Sequence, residues 1–495
     1  MKKNIIANFI GKFWGIFSNF VFIPLYIKYL GFESYSIISF TLIIAGVIAI
    51  LDSGLTATLS REFARNDNNE IARKKIYKTL ESCYIVLVFF SIAGIMLFSD
   101  VIAKNWIKVE AYSPAQISVF LKIISIDLGL QLLFRFYMGG LFGLQKQVVA
   151  NVYQMLWGML RNGLVIVLIL FYPTLNAFFM WQSAATLIFT ILMKCYLDGI
   201  VFNKKINVSF KIEKNILKSV SQFAGGMLLI ALISVFNTQM DKIVISKMLS
   251  LESLGYYTLA VSISQGMLAI AGPIATAVLP NFTNYYSSKK ITEANNLYNK
   301  YSLYVSILIF TFLSNIIFYT KTILWAWTGN AEIVQNVYMV LPIVAAAYGF
   351  VMLQVIPNQV AIANGYTKLN NVLGIFSVFI TFPGYYFSIK YYQAYGAAMI
   401  FLFVQIITTF IYIYIINKKF IKENLFEKIY FKQILIPFIV AFIVSFSISR
   451  IPQIFSENRM ISFVWIATST VITLVVTSII ALPKSEIKSL FKYKA

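Results

Sequence analysis

Of the 495 residues, 59% are hydrophobic and only 12% charged, and the mean hydropathy is +0.77. A soluble domain of this length needs far more charged surface to stay dissolved, so the bilayer is the solvent for most of the chain, and nothing is left over for a second, soluble domain. The net charge of +22 does not point to nucleic acid, because basic residues flanking apolar spans are what set membrane topology.

A spanning helix needs about 20 apolar residues, and the pattern predicts about fourteen such helices. They lie near 5–29, 36–58, 80–99, 115–139, 148–171, 176–200, 220–245, 254–279, 301–322, 336–362, 370–389, 395–416, 433–450 and 461–482. The fold class expected is therefore an all-α polytopic membrane protein. The opening Met1-Lys2-Lys3 and its apolar run look like a signal peptide. The run is too long and lacks a small-residue cleavage pattern, so it reads as a retained first span. With the N-terminus inside, most of the 41 Lys and Arg fall in cytoplasmic tails and loops, which predicts cytoplasmic termini. Arg73-Lys74-Lys75, Lys204-Lys205 and Lys418-Lys419 are the densest of these clusters and read as topology signals attracted to anionic headgroups. Cys83 and Cys195 lie inside apolar spans and offer neither a disulfide framework nor a metal spacing.

Two echoes suggest a repeat. Lys28-Tyr29-Leu30-Gly31-Phe32-Glu33-Ser34 is matched by Lys247-Met248-Leu249-Ser250-Leu251-Glu252-Ser253, and Gly143-Leu144-Gln145-Lys146 by Gly365-Tyr366-Thr367-Lys368. They divide the chain into an N-lobe at 1–202 (six spans), a cytoplasmic linker at 203–218, a C-lobe at 219–416 (six spans) and a tail at 417–495 with two more spans. Six spans per repeat is the parallel kind, with the substrate path expected between pseudo-symmetric lobes.

Ionisable groups at bilayer depth cost several kcal/mol unless they face water or a partner. Arg161 sits mid-span, and Asn151, Gln154, Gly158, Arg161 and Asn162 share one face at helical spacing. Two readings stand: a cavity-lining cation, or a buried arginine paired with Asp127 or Asp52. Asn8, Gly11, Lys12, Gly15 and Asn19 form a similar stripe in the first span, although Lys12 also lies within snorkelling reach of the headgroups. Asp127, Gln131 and Arg135 follow at four-residue steps, a spacing that permits a hydrogen-bonded ladder. Lys194 and Asp198 lie near a span end, and Lys122 reads as interfacial. Asp52 has three readings: a pair with Arg61 or a cation of another helix, a coupling-cation ligand, or a gate. Asp241 and Lys242 read as a solvated adjacent pair, with gating by Asp241 as the other option. The C-lobe offers neutral stripes instead, Thr258, Ser262, Gln265, Gly272 and Thr276 in one span and Gln354 and Asn358 in another. One cationic wall suits an anionic cargo, since guanidinium matches phosphate oxygens in a bidentate way, and neutral amides and hydroxyls suit sugar hydroxyls. With no histidine, proton coupling falls to carboxylates or water, with Asp52 or Asp127 as the candidate carriers. No nucleotide-binding motif is present.

Leu51-Asp52-Ser53-Gly54-Leu55 with Arg61 resembles the end of span two in Wzx-type polysaccharide-repeat flippases. Asn237-Thr238-Gln239-Met240-Asp241-Lys242, then Leu254-Gly255-Tyr256-Tyr257, resembles their span seven to eight junction, and Tyr395-Gly396-Ala397-Ala398 the start of span twelve. The likeness runs along nearly the whole chain. Their superfamily, the multidrug/oligosaccharidyl-lipid/polysaccharide (MOP) exporters, implies two six-helix lobes around a central cavity, working by alternating access. It further implies an undecaprenyl-pyrophosphate-linked oligosaccharide of O-antigen or capsule type as cargo, with Arg161, Arg135 and Lys12 as cavity cations; Lys194 joins them as a candidate on its position alone. The setting implied is the bacterial inner membrane, among its lipids, with a polysaccharide polymerase and a chain-length regulator as partners. No cofactor is expected beyond a proton or Na+ gradient, and no enzymatic step. The rival readings are a multidrug exporter of the same superfamily and a membrane glycosyltransferase. The basic lobe weighs against the first and the short loops against the second.

Overall fold

The computed structural model describes residues 18, 20–65, 69–202, 212–451, 458–484 and 486. Among them every regular element is helical. Eleven helices are long and apolar enough to cross a membrane, and a bent pair counts as a twelfth. The predicted first span is represented by α1 (Phe20–Leu30) alone; Asn8, Lys12 and Asn19 lie outside the described residues. Predicted spans eleven and twelve form one run, α16 (Lys368–Ile416), broken at Gln393, where φ is 53° and ψ −141°.

The chain divides into two compact units, Met1–Gly255 and Tyr256–Ala495; most of the expected linker, 203–211, lies outside the described residues. Unit 1 contains α1, α2 (Phe32–Arg65), α3 (Glu70–Asn105), α4 (Pro114–Gly143), α5 (Gln147–Gly158), a π-helical turn at Met159–Gly163, α6 (Val165–Phe171), α7 (Leu175–Val201) and α8 (Lys214–Met248). At 36 residues α3 is about 54 Å long, well beyond the apolar core of a bilayer; the helix continues through its charged first turns. Helix α4 lies at the centre of the unit, packed against α2, α3 and α7. The contact with α2 is close because Gly139 and Gly143 face it: a Cβ at Gly143 would sit 2.5 Å from the Ser60 carbonyl oxygen. Small residues that let backbones approach are the usual means of helix association where water supplies no driving force. Around this seam Tyr77, Tyr84, Phe134 and Phe136 are fully buried, whereas Phe89, Phe90, Leu97 and Phe98 of α3 point outward, as side chains solvated by lipid do.

The connection after α3 is tied to both arms of the first echo. Glu33 accepts from the Glu110 and Ala111 amides and Ser34 Oγ meets Tyr112 OH at 2.7 Å. From the other arm Lys247 Nζ donates to Asn105 O (2.8 Å), and the Leu251 amide donates to Lys108 O (3.1 Å). The second echo does not hold residue for residue: the two turns are alike, but at another register. The Lys146 amide closes onto Leu141 O and the Tyr366 amide onto Ala361 O, so the left-handed residues that match are Gln145 (φ 57°) and Gly365 (φ 67°), not Gly143 and Gly365.

Unit 2 contains α9 (Leu251–Gly266, most of it), α10 (Leu268–Ser287), α11 (Ile291–Phe318), the short α12 (Thr320–Thr328) and α13 (Ala331–Val337), α14 (Val340–Leu353), α15 (Val355–Ala363), α16, α17 (Ile436–Ser449) and α18 (Arg459–Ala481). The axis bends by 43° between Leu251–Gly266 and Ala271–Ser287. Helix α14 stops at Leu353, the residue whose carbonyl Pro357 can neither bond nor clear. The predicted neutral stripes are joined into networks: Gln265 Nε2 donates to Tyr348 OH (2.8 Å), Gln354 Nε2 to Thr409 Oγ1 (2.7 Å), and Asn358 Oδ1 accepts from Asn370 and Tyr412.

Candidate functional site

The polar side chains inside unit 1 form three groups along α4. The first surrounds Asp127. Its Oδ2 accepts from Arg161 Nη2 and Gln131 Nε2, both at 2.8 Å, and its Oδ1 from Thr186 Oγ1 at 2.6 Å. The carboxylate is 6% exposed and the guanidinium 15%. Arg161 also donates through Nη1 to Asn162 Oδ1 (3.1 Å) and lies 5.5 Å from the Trp157 ring centroid, while its buried Nε has no partner among the described residues. Of the two sequence readings of Arg161, the pairing with Asp127 is the contact that forms.

The π-helical turn explains the placement. One extra residue in the turn rotates the rest of the helix by about 100°, so Arg161 and Asn162 leave the face that Asn151, Gln154 and Gly158 share. The single polar stripe predicted for this span is thus corrected to two. Carbonyls loosened by the turn are recovered by other helices: Trp181 Nε1 donates to Leu160 O (2.9 Å) and Tyr26 OH to Asn162 O (2.5 Å). Asn151 is buried and satisfied by Gln147 O at 2.7 Å.

The second group lines a cavity of about 270 Å³ walled by Asp52, Thr56, Phe134, Arg135, Met138, Gly139, Phe142, Gln154 and Trp157. Asp52 is buried and accepts from Thr56 Oγ1 and Tyr84 OH. The expected pair with Arg61 does not form, because Arg61 turns to Glu62 (3.7 Å) and lies over the Phe223 ring. Arg135 is half-buried and has no hydrogen-bond or ion-pair partner among the described residues, although its charge bears on Asp52 at longer range. The predicted ladder therefore ends at Gln131.

The third group was not read from the sequence. Lys194 bonds Glu81 and lies 3.1 Å from Asp198, so two buried carboxylates share one ammonium. Tyr77 OH donates to Asp198 (2.7 Å) and Tyr137 OH to Glu81 (2.9 Å). Tyr77, Glu81 and Tyr84 recur at four- and three-residue steps on one helix face, a signal the sequence did contain. Among the remaining predicted residues, Lys122 pairs with Asp100 (3.7 Å) at an exposed position. The solvated pair predicted at Asp241 and Lys242 is overturned: both are buried in α8, with Lys242 Nζ donating to Thr238 O at 2.8 Å. Helix α8 packs along α2, which takes those side chains out of water.

Residues 1–286, more than half of the chain, match the sequence family described as polysaccharide biosynthesis protein. The chain belongs to that family. Among curated proteins it is similar to the "Putative O-antigen transporter" of Shigella flexneri, with 23% identity over 75% of this chain and 86% of the relative. This member of the polysaccharide biosynthesis family also shares its fold with solved transporters. A structure of the lipid II flippase MurJ in an inward closed conformation superposes with a TM-score of 0.73 at 13% identity, covering 97% of this chain and 98% of the other. An inward-facing multidrug resistance MATE transporter of the MOP superfamily gives 0.66 at 14% identity, covering 83% and 94%. The fold is thus the MOP fold that the sequence motifs resemble, and the chain is a multi-pass membrane protein.

Proposed function

We propose that this protein is a flippase that moves an undecaprenyl-pyrophosphate-linked oligosaccharide, a repeat unit of O-antigen or capsule type, from the cytoplasmic to the outer leaflet of the bacterial inner membrane. Membership of a polysaccharide biosynthesis family supports the glycan, and the observation that carries the reading is Arg135. A half-buried guanidinium in a cavity that Asp52 also lines, with no carboxylate bonded to it among the described residues, is free to take up an anion. Its planar fork fits phosphate oxygens two at a time. Thr56 and Gln154 stand beside it for hydroxyls, and Trp157, backed by the buried Phe134 ring 4.9 Å away, offers apolar surface. At about 270 Å³ the cavity is below the roughly 300–1,000 Å³ of sites that enclose a drug-sized ligand, so it grips the head of the cargo and leaves the polyprenyl tail to lipid. Arg161, held by Asp127, positions Trp157 and the π-helical turn around that grip. Delivery follows when access to the cavity alternates between the two sides of the membrane, and the cargo leaves chemically unchanged. Coupling to a proton or Na+ gradient would use Asp52 or the Glu81–Asp198 pair. Both termini are cytoplasmic in this reading, and a polysaccharide polymerase and chain-length regulator receive the product.

The test is surface-glycan display in cells that lack their own repeat-unit flippase, complemented at matched membrane expression. Wild type restores display, Arg135→Ala abolishes it, and Arg135→Lys recovers little because an ammonium cannot bond in the bidentate way. Failure of well-expressed wild type to restore its cognate glycan removes the flippase reading, and full display with Arg135→Ala removes the site.

A further inference from the structure

We propose a second saccharide-binding site in unit 2, between α12 and α13, where the glycan is received on the outer side. The proposal rests on the flippase reading for its side of the membrane and for the origin of the glycan. A cavity of about 480 Å³ is lined by Lys321, Thr322, Trp325, Ala331, Val334, Gln335 and Tyr338. Its volume falls within the roughly 300–1,000 Å³ range of ligand sites, and its lining is what a sugar ring asks for. Trp325 and Tyr338 present aromatic faces to the C–H side of a pyranose, Thr322 and Gln335 present hydrogen-bonding groups to its hydroxyls, and Lys321 matches a carboxylate or phosphate substituent. Lys321 Nζ lies 4.7 Å from the Tyr338 ring centroid, so a cation and an aromatic face meet at one point.

Two further observations favour a ligand. The indole Nε1 of Trp325 is buried and has no hydrogen-bond partner among the described residues, an unusual state for a tryptophan N–H away from water. The walls are also held in place before any ligand arrives. Arg459, at the start of α18, donates to Ala326 O (3.1 Å) and Trp327 O (2.8 Å), and Asn330 Oδ1 caps α13 through the Ile333 amide (3.1 Å). Leu324, Trp327, Ile333 and Val337 are buried beneath the pair. Helix α18, which lies outside the six-helix repeat, thereby acquires a role, since it braces the turn between α12 and α13. Lysine with aromatic residues is equally the composition of a headgroup-level belt. Here the only aliphatic lining is Ala331 and Val334, so there is no slot for an acyl chain, and an amide and a hydroxyl occupy the walls instead.

The experiment uses the full chain in nanodiscs of zwitterionic lipid. The probe is the oligosaccharide freed by mild acid from the polyprenyl-linked pool of the bacterium that makes this protein, and binding is read by saturation-transfer NMR and titration calorimetry. Wild type binds; Trp325→Ala weakens binding at least ~tenfold, and Trp325→Phe, which keeps a ring and the fold but not the N–H, falls between. Binding that survives Trp325→Ala but is lost in Arg135→Ala overturns the second site and leaves the flippase reading standing. Absence of wild-type binding, or its abolition by phosphatidylglycerol in the disc, also overturns it, the latter in favour of a lipid site. Binding through Trp325 in a protein that fails to restore glycan display keeps the site and rejects the flippase reading.

Discussion

Replacing Arg161 with leucine strands the Asp127 carboxylate among Gln131, Thr186 and the protein interior. Removing one partner of a buried pair costs about 3–5 kcal/mol, chiefly because a charge is left uncompensated. Both remaining partners of Asp127 are neutral, at 2.8 and 2.6 Å, and neither replaces the lost charge. Asp127→Asn strands the guanidinium instead. Arg161 keeps Asn162 and the face of Trp157 and is the more exposed of the two, so this change costs less, about 2 kcal/mol. The double variant leaves no charge, and the amide that replaces the carboxylate retains Gln131 and Thr186, so its cost falls to about 1–2 kcal/mol. The cycle therefore yields a favourable coupling energy of about 3 kcal/mol or more. Reversible unfolding in mixed micelles with rising dodecyl sulfate, followed by the fluorescence of the seven tryptophans, measures all three. Additive losses, or a loss below about 1 kcal/mol for Arg161→Leu, would refute the buried pair and return Arg161 to the role of a free cavity cation.

The same unfolding assay tests three more expectations. Gln145 holds a left-handed backbone, φ 57°, at a cost near 1–2 kcal/mol for a residue with a Cβ; Gln145→Gly recovers about 1 kcal/mol of it, net of the added chain entropy, and no gain would contradict that turn. Lys194→Ala leaves Glu81 and Asp198 facing each other with only tyrosine hydroxyls and destabilises by about 3–5 kcal/mol, whereas Lys194→Ala/Glu81→Gln regains a large part. Gly143→Ala places a methyl against the Ser60 backbone, 2.5 Å from its oxygen, and costs about 1–3 kcal/mol; a neutral result would mean that α2 and α4 are further apart.

Hydropathy made most of the helices and their order legible, because lipid tolerates only long apolar helices with their backbone bonds closed internally. It could not locate helix ends that lie in water. Helices α2 and α3 run past their predicted boundaries through charged turns, where intrahelical bonding, not hydropathy, decides the end. The charged residues were legible one by one, and the pairing of Arg161 with Asp127 was one of the readings offered, but the other partners were not legible. Glu81 sits at a predicted span edge, where a carboxylate passes for interfacial. Tyr84 and Tyr137 count as apolar in a span and Tyr77 lies just before one, and yet their hydroxyls each bond a buried carboxylate. The π-helical turn at Met159–Gly163 leaves no mark on composition. With that turn in place Arg161 meets Asp127, while Arg135 has no hydrogen-bond or ion-pair partner among the described residues.

The ties that hold the connection after α3 differ in kind from the buried pairs. Glu33, Tyr112 and Lys247 bond at positions that water reaches, where each contact exchanges nearly evenly with solvent and contributes about 1 kcal/mol or less. A seam fastened in this way resembles a row of press-studs: it comes apart one stud at a time, with no single high barrier, and recloses in the same register because the carboxylate, the lysine and the backbone groups are spaced to meet again. Salt would loosen its charged studs while leaving the buried Asp127–Arg161 pair in place, so wear at that seam and failure of the core are separable events.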